Sequence, residues 1–285
     1  MKIQIIQVPY DSGHRNVRLG MGPKRFIDNK IDQELKKYNH EVKVTRIESD
    51  DAFPTEITTS FKLNRLLADQ VKSAIDQELF PLVLSGNCNC CLGTIAGISL
   101  NRLGVIWFDA HGEFNTPDTT LSGFLDGMPL AMATGRCWKA IIKTIPGFIP
   151  VRDENIVLIG ARDLDSAEEE LLKQSKVTVV KSEGLNNEEI REATSYALNE
   201  LQARVEGVYL HLDMDSLDLG SVSANDLDSP GGLQPDLVED IVSMVKKMFK
   251  VHACGIAAYD PNCDREGKAL QTGIKLIKNI VSETN

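Results

Sequence analysis

Two short acidic clusters combine residue types that bind divalent metal ions. Asp109, His111 and Glu113 are spaced two residues apart, so on an extended backbone their side chains point to one side. Asp213 and Asp215 repeat that spacing in a second cluster. Carboxylates and imidazole suit a divalent cation, and so many carboxylates would repel one another strongly without one. Acids at strand ends also occur as solvated caps of the following helices, and for either cluster alone that alternative stays open.

Each cluster directly follows an apolar segment that is typical of a buried strand. We predict strands at Ile3–Val8, Pro81–Leu84, Gly104–Phe108, Asn155–Ile159, Val177–Val180, Val208–Leu212 and His252–Ala258. Amphipathic helical patterns lie between them, at Phe61–Glu78, Asn187–Val205 and Asp236–Phe249. The alternation predicts an α/β fold, a three-layer sandwich with a mainly parallel central sheet, as one domain over residues 1–285. The polar clusters would then meet at the carboxyl ends of the strands, where such sheets form their sites.

The composition is that of an acidic globular protein. The 285 residues include 31 Lys and Arg against 41 Asp and Glu, which gives a net charge of −10. Residues 103–135 hold four acids and residues 205–245 hold nine, and neither segment contains a Lys or Arg. Such a charge disfavours nucleic acid and anionic membranes, so we expect neither as a partner. No export signal or membrane-length apolar segment is apparent in the sequence, which predicts a cytoplasmic protein with reduced cysteines.

Several motifs in the chain resemble those of the arginase/agmatinase ureohydrolases. Residues 109–115, DAHGEFN, are similar to the D-A-H-x-D-x-N motif of that family. Residues 211–218, HLDMDSLD, are similar to its S-x-D-x-D-x-x-D motif, and residues 230–233, PGGL, resemble its downstream G-G-L. Residues 85–88, SGNC, lie where the family has G-G-D-H. The similarity runs from residue 22 to residue 261 and implies an arginase-like fold.

The resemblance implies two divalent metal ions, manganese in the family, that activate a bridging hydroxide. The ligands that it implies in this chain are Cys88, Asp109, His111, Glu113, Asp213 and Asp215. Two of them depart from the family pattern at the same ion, since Cys88 replaces a His and Glu113 replaces an Asp. A thiolate is a softer ligand and favours Zn or Fe(II) at that position. The two changes indicate either a coordinated redesign or the loss of that ion.

A polar loop after the first cluster resembles the loop with which arginases hold an α-amino acid. Asn115, Thr120 and Ser122 match its contacts to the carboxylate. Asp165 and Glu168 match the groups that bind the α-amino end. A Ser- and Thr-rich turn beside an exposed acidic helix start would give a similar pattern. We favour a substrate-binding loop because both halves of the clamp occur in the same chain.

Two further positions depart from the family pattern. Asp126 stands where arginases have a histidine that passes a proton to the leaving amine, and with Glu113 it is our candidate catalytic residue. Ala258 stands where they have a glutamate that pairs with the guanidinium. Either Asp126 or Asp260 replaces that glutamate, or the bound group is less basic, such as an N-hydroxyguanidine.

The expected function is therefore that of a metal-dependent amidinohydrolase. It would cleave the guanidino C–N bond of L-arginine, or of an N-substituted arginine such as N-hydroxy-L-arginine, to ornithine plus urea or a substituted urea. The alternative is a catalytically silent protein that binds an arginine-like amino acid, because four family positions are altered. Related enzymes form trimers and hexamers, so the resemblance also implies a homo-oligomer.

Overall fold

Ten strands are present in the computed structural model, which describes residues 1–50 and 55–282. In chain order they are β1 (Lys2–Val8), β2 (Tyr10–Asp11), β3 (His14–Arg15), β4 (Glu41–Arg46), β5 (Phe80–Ser85), β6 (Leu103–Phe108), β7 (Ile156–Ile159), β8 (Thr178–Val180), β9 (Gly207–Asp213) and β10 (Val251–Ala257). Strands β2 and β3 form a short antiparallel hairpin. The other eight form one sheet in the order β4-β1-β5-β10-β9-β6-β7-β8, in which each neighbouring pair is parallel.

Helices cover both faces of this sheet. They are α1 (Gly22–Asp28), α2 (Ile31–Lys37), α3 (Glu56–Asp76), α4 (Cys91–Ile98), α5 (Pro129–Ala133), α6 (Lys139–Ile142), α7 (Ser166–Gln174), α8 (Asn187–Gln202), α9 (Pro235–Met248) and α10 (Lys268–Val281). Helices α3 to α7 contribute to the core on one face, and α1, α2, α8, α9 and α10 contribute to the core on the other. The predicted three-layer α/β sandwich is confirmed.

The strands are apolar on both sides because both sides are buried. In β1, Ile3 and Ile5 pack into one core while Ile6 and Val8 pack into the other, and all four side chains are fully buried. Each fully buried aliphatic side chain of this kind stabilises the fold by about 1.5–3 kcal/mol. The two cores together hold the sheet rigidly between its helices.

Parallel pairing places the carboxyl ends of the strands along one edge of the sheet. Cys88 follows β5, Asp109 follows β6, Arg162 follows β7 and Asp213 ends β9, while Ala258 follows β10. Residues far apart in the sequence therefore meet at this edge, as the sequence analysis predicts.

All seven predicted strands are present, whereas the short hairpin of β2 and β3 and the strand β4 were not predicted. That strand lies at one end of the sheet and pairs only with β1, and its side chains are mostly exposed or half-buried. The predicted helix at Phe61–Glu78 begins earlier, at Glu56, where the Thr55 hydroxyl accepts the N–H of Thr58. Over residues 1–50 and 55–282, no helix has the length and apolar character needed to cross a membrane.

Candidate active site

Asp109 lies at the centre of the site, immediately after β6. Its N–H donates to the carbonyl of Ile159 in β7 at 3.1 Å, which fixes where the chain leaves the sheet. His111 Nδ1 lies 3.2 Å from Asp109 Oδ1 and 3.6 Å from Asp215 Oδ2. The N–H of Ala110 donates to the other Asp215 oxygen at 3.3 Å. Asp109, His111 and Asp215 each place one ligand atom within 4.8 Å of the others, and are termed the histidine group.

A second set of donors adjoins the first. Cys88 begins the turn after β5, and its Sγ lies 2.8 Å from Oδ2 of Asp213 at the end of β9. Cys88, Asp109 and Asp213 are all buried, and each places one ligand atom within 4.8 Å of the others. They are termed the cysteine group. Asp109 belongs to both groups, so two cations could share it as a bridging ligand.

Burial and mutual repulsion shift the pKa values of these side chains. Burial raises the pKa of Asp213, and the charges of Asp215 and Asp109 raise it further. Burial, followed by the charge of Asp213, also raises the pKa of the Cys88 thiol. At His111 burial lowers the pKa, but Asp215 and Asp109 outweigh it and give a value of about 10. Bound cations would remove this repulsion, so the donor set fits the two divalent ions that the resemblance implies.

Glu113 lies beside both groups, and one of its carboxylate oxygens has no partner. Its side chain is buried, and Oε2 accepts no hydrogen bond from the residues that the structure describes. Burial, followed by the charge of Asp109, raises its pKa. The backbone of Glu113 is left-handed, with φ at 55°, and its carbonyl accepts the N–H groups of Leu130 and Ala131 in α5. An unpartnered buried carboxylate oxygen suits a cation, so Glu113 stays a predicted ligand although it lies outside the two groups.

A cavity of about 190 Å³ opens beside His111 and Glu113. Its lining includes all the residues predicted to act on or bind a substrate: Glu113, Asn115, Thr120, Ser122, Asp126, Asp165 and Glu168. His111 and Asp163 line it as well, and no Lys or Arg of the described residues does. An acidic lining of this kind attracts a cationic ligand. A larger groove of about 450 Å³, between α2 and α10, has no acidic residue in its lining.

Local hydrogen bonds hold the loop of residues 115–123 against the cavity. Asn115 Nδ2 donates to Asp165 Oδ2 at 3.0 Å, which ties the loop to the start of α7. The hydroxyl oxygens of Thr120 and Ser122 accept the backbone N–H groups of residues 123 and 124. A hydroxyl that accepts in this way keeps its own hydrogen as a donor, which a carboxylate ligand requires.

Glu168 lies buried against the backbone that follows the first cluster. Its Oε1 accepts the N–H of Phe114 at 2.8 Å. Gly112 makes room for it, since a Cβ on Gly112 would lie 2.6 Å from the carboxyl carbon of Glu168. Burial raises the pKa of Glu168 to about 7. An ammonium group beside it would favour the ionised carboxylate, as expected for a residue that binds an α-amino group.

Asp126 lines the cavity, but its carboxylate also bonds to the turn before α4. Its Oδ2 accepts Nδ2 of Asn87 at 2.8 Å and the N–H of Cys88 at 3.0 Å, and its Oδ1 accepts the N–H of Asn89 at 2.7 Å. Burial raises its pKa to about 7, although these three hydrogen bonds lower it. Asp126 therefore positions Cys88, and the proton transfer assigned to it stays a prediction.

Comparison with known proteins assigns the chain to a family. The family model described as "Arginase family" matches residues 1–282. The chain belongs to the arginase family. Arginase from Bacillus subtilis (strain 168) is 28% identical over 292 residues, which cover 99% of this chain and 98% of that protein. Arginase from Staphylococcus aureus (strain MRSA252) is 29% identical over 301 residues, which cover 99% and 97%. The crystal structure of arginase from Bacillus subtilis has a TM-score of 0.89 at 27% identity, over 99% of both chains.

Membership of the arginase family makes this chain a hydrolase of C–N bonds in linear amidines, dependent on metal ions. Its departures from the family motifs include Ala258, which stands where arginases have a glutamate. Ala258 is buried, and its carbonyl accepts Nδ2 of Asn225 at 2.7 Å. Asp260 does not line the cavity, and its Oδ1 accepts the backbone and side-chain N–H groups of Asn262. Of the two acids proposed as partners of a guanidinium, Asp126 is the one that reaches the cavity.

Arg162 holds backbone segments of this arginase-family site in place, a role that was not predicted from the sequence. Its guanidinium donates to six backbone carbonyls, those of Gly160, Asp215, Ser216, Leu217, Ser229 and Pro230. It thereby fastens the segment after β9, which carries Asp215, to the end of β7. The position of Arg162 shortly after a predicted strand was the available signal, but apart from Gly160 its partners lie more than 50 residues away in the sequence.

Proposed function

We propose that the protein hydrolyses the guanidino C–N bond of L-arginine, or of an N-substituted arginine such as N-hydroxy-L-arginine, to ornithine and urea or a substituted urea. The observation that carries this proposal is the cavity of about 190 Å³ that is lined by His111 of the histidine group and by Glu113. Its lining combines neutral hydrogen-bond donors with acids, and an α-amino acid with a cationic side chain needs both.

The amino-acid end of the substrate would bind to the loop and to α7. Asn115, Thr120 and Ser122 present amide and hydroxyl groups that donate to the α-carboxylate without adding charge. Asp165 and Glu168 present carboxylates to the α-ammonium group. Agmatine has no carboxylate, so this clamp favours arginine over agmatine.

Two divalent ions would be held at the other side of the cavity. The histidine group suits manganese because its donors are carboxylates and an imidazole, whereas the thiolate of the cysteine group favours zinc or iron. Glu113 would supply a further oxygen to the cysteine group. Ions bound there would lower the pKa of water and so supply hydroxide as a nucleophile near neutral pH.

Asp126 would donate a proton to the leaving amine. Asp126 lines the cavity, and a carboxyl group whose pKa is about 7 gives up a proton readily near neutral pH. The leaving nitrogen of the substrate accepts that proton as its bond to the guanidino carbon breaks. This gives a neutral side-chain amine, which takes up the proton lost from the added hydroxyl group as urea forms, so that ornithine leaves with an ammonium side chain.

Ornithine release tests this proposal. Protein loaded with manganese, zinc or iron is supplied with L-arginine, N-hydroxy-L-arginine or agmatine, and amine product is measured. We expect turnover of one or both arginine substrates and little of agmatine. Ser122→Ala should raise KM for the amino acid and leave agmatine unaffected, whereas Ser73→Ala, on the exposed side of α3, should change neither.

Two results would contradict the proposal. Turnover of agmatine equal to that of both arginine substrates would show that the loop does not bind a carboxylate. Arginine binding without any ornithine, in protein with two metal equivalents, would instead support the silent binding protein.

A further inference from the structure

Two buried aromatic rings stack beside the cysteine group. The imidazole of His211 and the indole of Trp107 lie 3.6 Å apart between ring centroids, with 15° between their planes. Both residues are fully buried or nearly so. They are direct neighbours across the sheet, because Trp107 in β6 pairs in register with His211 in β9. The strands therefore fix the stack from both sides.

Each ring directs an N–H group or ring nitrogen at a different member of the cysteine group. Trp107 Nε1 donates to Asp109 Oδ2 at 2.8 Å. His211 Nε2 lies 3.1 Å from Cys88 Sγ, and its Nδ1 lies 2.7 Å from the hydroxyl of Tyr209. Each nitrogen of the imidazole therefore has a hydrogen-bond partner, the sulfur of Cys88 at Nε2 and the hydroxyl of Tyr209 at Nδ1.

We infer that His211, together with Tyr209 and Trp107, positions Cys88 and Asp109 to bind a divalent cation. This inference rests on the proposed metal site. A thiolate ligand can only accept a hydrogen bond, so Nε2 donates to Cys88 Sγ and Nδ1 accepts the hydroxyl hydrogen of Tyr209. When the sulfur is a ligand, Tyr209 therefore donates a hydrogen bond to His211, and His211 donates one to Cys88. His211 acts through Cys88, because neither of its nitrogens belongs to the donor groups found among the described residues.

The neighbouring strand is built to leave room for this chain of bonds. Gly255 in β10 pairs in register with His211 on the side opposite to Trp107. A Cβ on Gly255 would lie 2.4 Å from the Tyr209 hydroxyl and 3.2 Å from His211 Nδ1. Trp107, His211 and Gly255 therefore form one row across three strands, in which a residue without a side chain admits the Tyr209 hydroxyl.

This arrangement supports a coordinated redesign of the site over the loss of that ion. A larger side chain at Cys88 would meet the His211 ring, 3.1 Å beyond the sulfur. The imidazole at residue 211 and the small thiol at residue 88 are thus matched in size and in hydrogen bonding. The contact between the two side chains is what a site arranged for a thiolate ligand requires.

Cobalt(II) binding tests the inference without measuring turnover. Metal-free protein is titrated with cobalt chloride, and the near-ultraviolet charge-transfer band between thiolate and cobalt is recorded together with the affinity. Cys88→Ser should abolish the band. His211→Phe keeps the ring stack but removes both nitrogens, and Tyr209→Phe removes the hydroxyl. Both should weaken cobalt binding at the thiolate site about tenfold to a hundredfold and shift the band.

Three comparisons separate positioning from a general packing role. His211→Gln, whose amide can still donate toward the sulfur, should restore much of the affinity lost in His211→Phe. Tyr259→Phe, which removes a buried hydroxyl that donates to Asp264, should leave the band unchanged. The cobalt equivalent at the histidine group should be unaffected in all of these variants.

The inference is overturned if His211→Phe and Tyr209→Phe bind cobalt with the wild-type affinity and band, or if the wild type shows no thiolate band. It is also overturned if His211→Gln is as defective as His211→Phe while both remain folded by thermal denaturation. Failure of the ornithine assay with a normal thiolate band would refute the proposed reaction and leave this inference standing.

Discussion

Replacing Arg162 with methionine should destabilise the segment that carries Asp215. The guanidinium donates to carbonyls of Gly160 in the turn after β7, of Asp215, and of Ser229 in the distant loop. Methionine keeps an apolar stem of similar length but supplies no donor. The carbonyls would lose their partner, and the segment after β9 would no longer be fastened to β7.

The expected loss follows from the shortest bonds. Nη2 of Arg162 lies 2.8 Å from the carbonyl of Asp215 and 2.8 Å from that of Ser229. A hydrogen bond from a charged donor contributes about 1.5–3 kcal/mol, and the lower figure applies to a partly buried side chain. These two bonds alone give a loss of about 3 kcal/mol in the free energy of unfolding. The longer bonds are left out of this figure because water can replace them.

Urea unfolding followed by circular dichroism measures the loss, in the presence of a chelator so that metal binding does not contribute. Arg162→Lys should recover half of the loss or less, since a compact ammonium group cannot reach the same set of carbonyls. Arg102→Met is the matched control, because its ion pair with Glu206 is exposed and should contribute less than about 1 kcal/mol. A loss at Arg162→Met no larger than that control would refute the reasoning.

Three further outcomes are expected. Arg136 lowers the pKa of Asp153, so this pair stabilises the protein above the unfolded carboxyl pKa of about 3.9, and that stabilisation is lost as the pH falls through the folded pKa. Asp153→Asn should therefore lower stability at neutral pH and flatten its decline in acid, and an unchanged acid limb in urea titrations would count against this. Gly112→Ala should push the flexible end of Glu168 away from its backbone partner, raising KM for arginine while the melting temperature falls by only a few degrees; an unchanged KM would argue against a role for Glu168 in binding. Removing divalent ions with a chelator should lower the melting temperature, because the clustered acids then repel one another. Manganese at about 100 times its Kd should raise the free energy of unfolding by about 2.7 kcal/mol. A melting temperature that neither treatment changes would disprove metal binding.

Much of the fold follows from the sequence because most of its strands are buried on both faces. A short continuous apolar segment such as Leu103–Phe108 is typical of a strand that is buried on both faces. The strand at Glu41–Arg46 contains two apolar residues and pairs on one side with β1, so its alternation of Val with polar residues is too short a signal to predict it. Local sequence does not distinguish such an edge strand from a solvated loop.

Asp109 and Asp213 were predictable because Asp109 directly follows β6 and Asp213 ends β9. Their partners were not, since the pairings join distant segments. His211 is part of a recognised motif, yet its contact with Cys88 spans 123 positions of sequence. Arg162 bonds carbonyls more than 50 positions away. Such contacts depend on burial and on strand register, and neither can be predicted from the local sequence around one residue.

The central position of β10 has a consequence for when the site can form during synthesis. Cys88 follows β5 and Asp213 ends β9, and in the sheet these two strands are separated by β10 alone. Strand β10 is the last of the described strands to leave the ribosome, so earlier strands can assemble only as two separate halves. The cysteine group is divided between those halves until residues 251–257 are inserted. An ion held between Cys88 and Asp213 would therefore have to bind after β10 has paired with both β5 and β9.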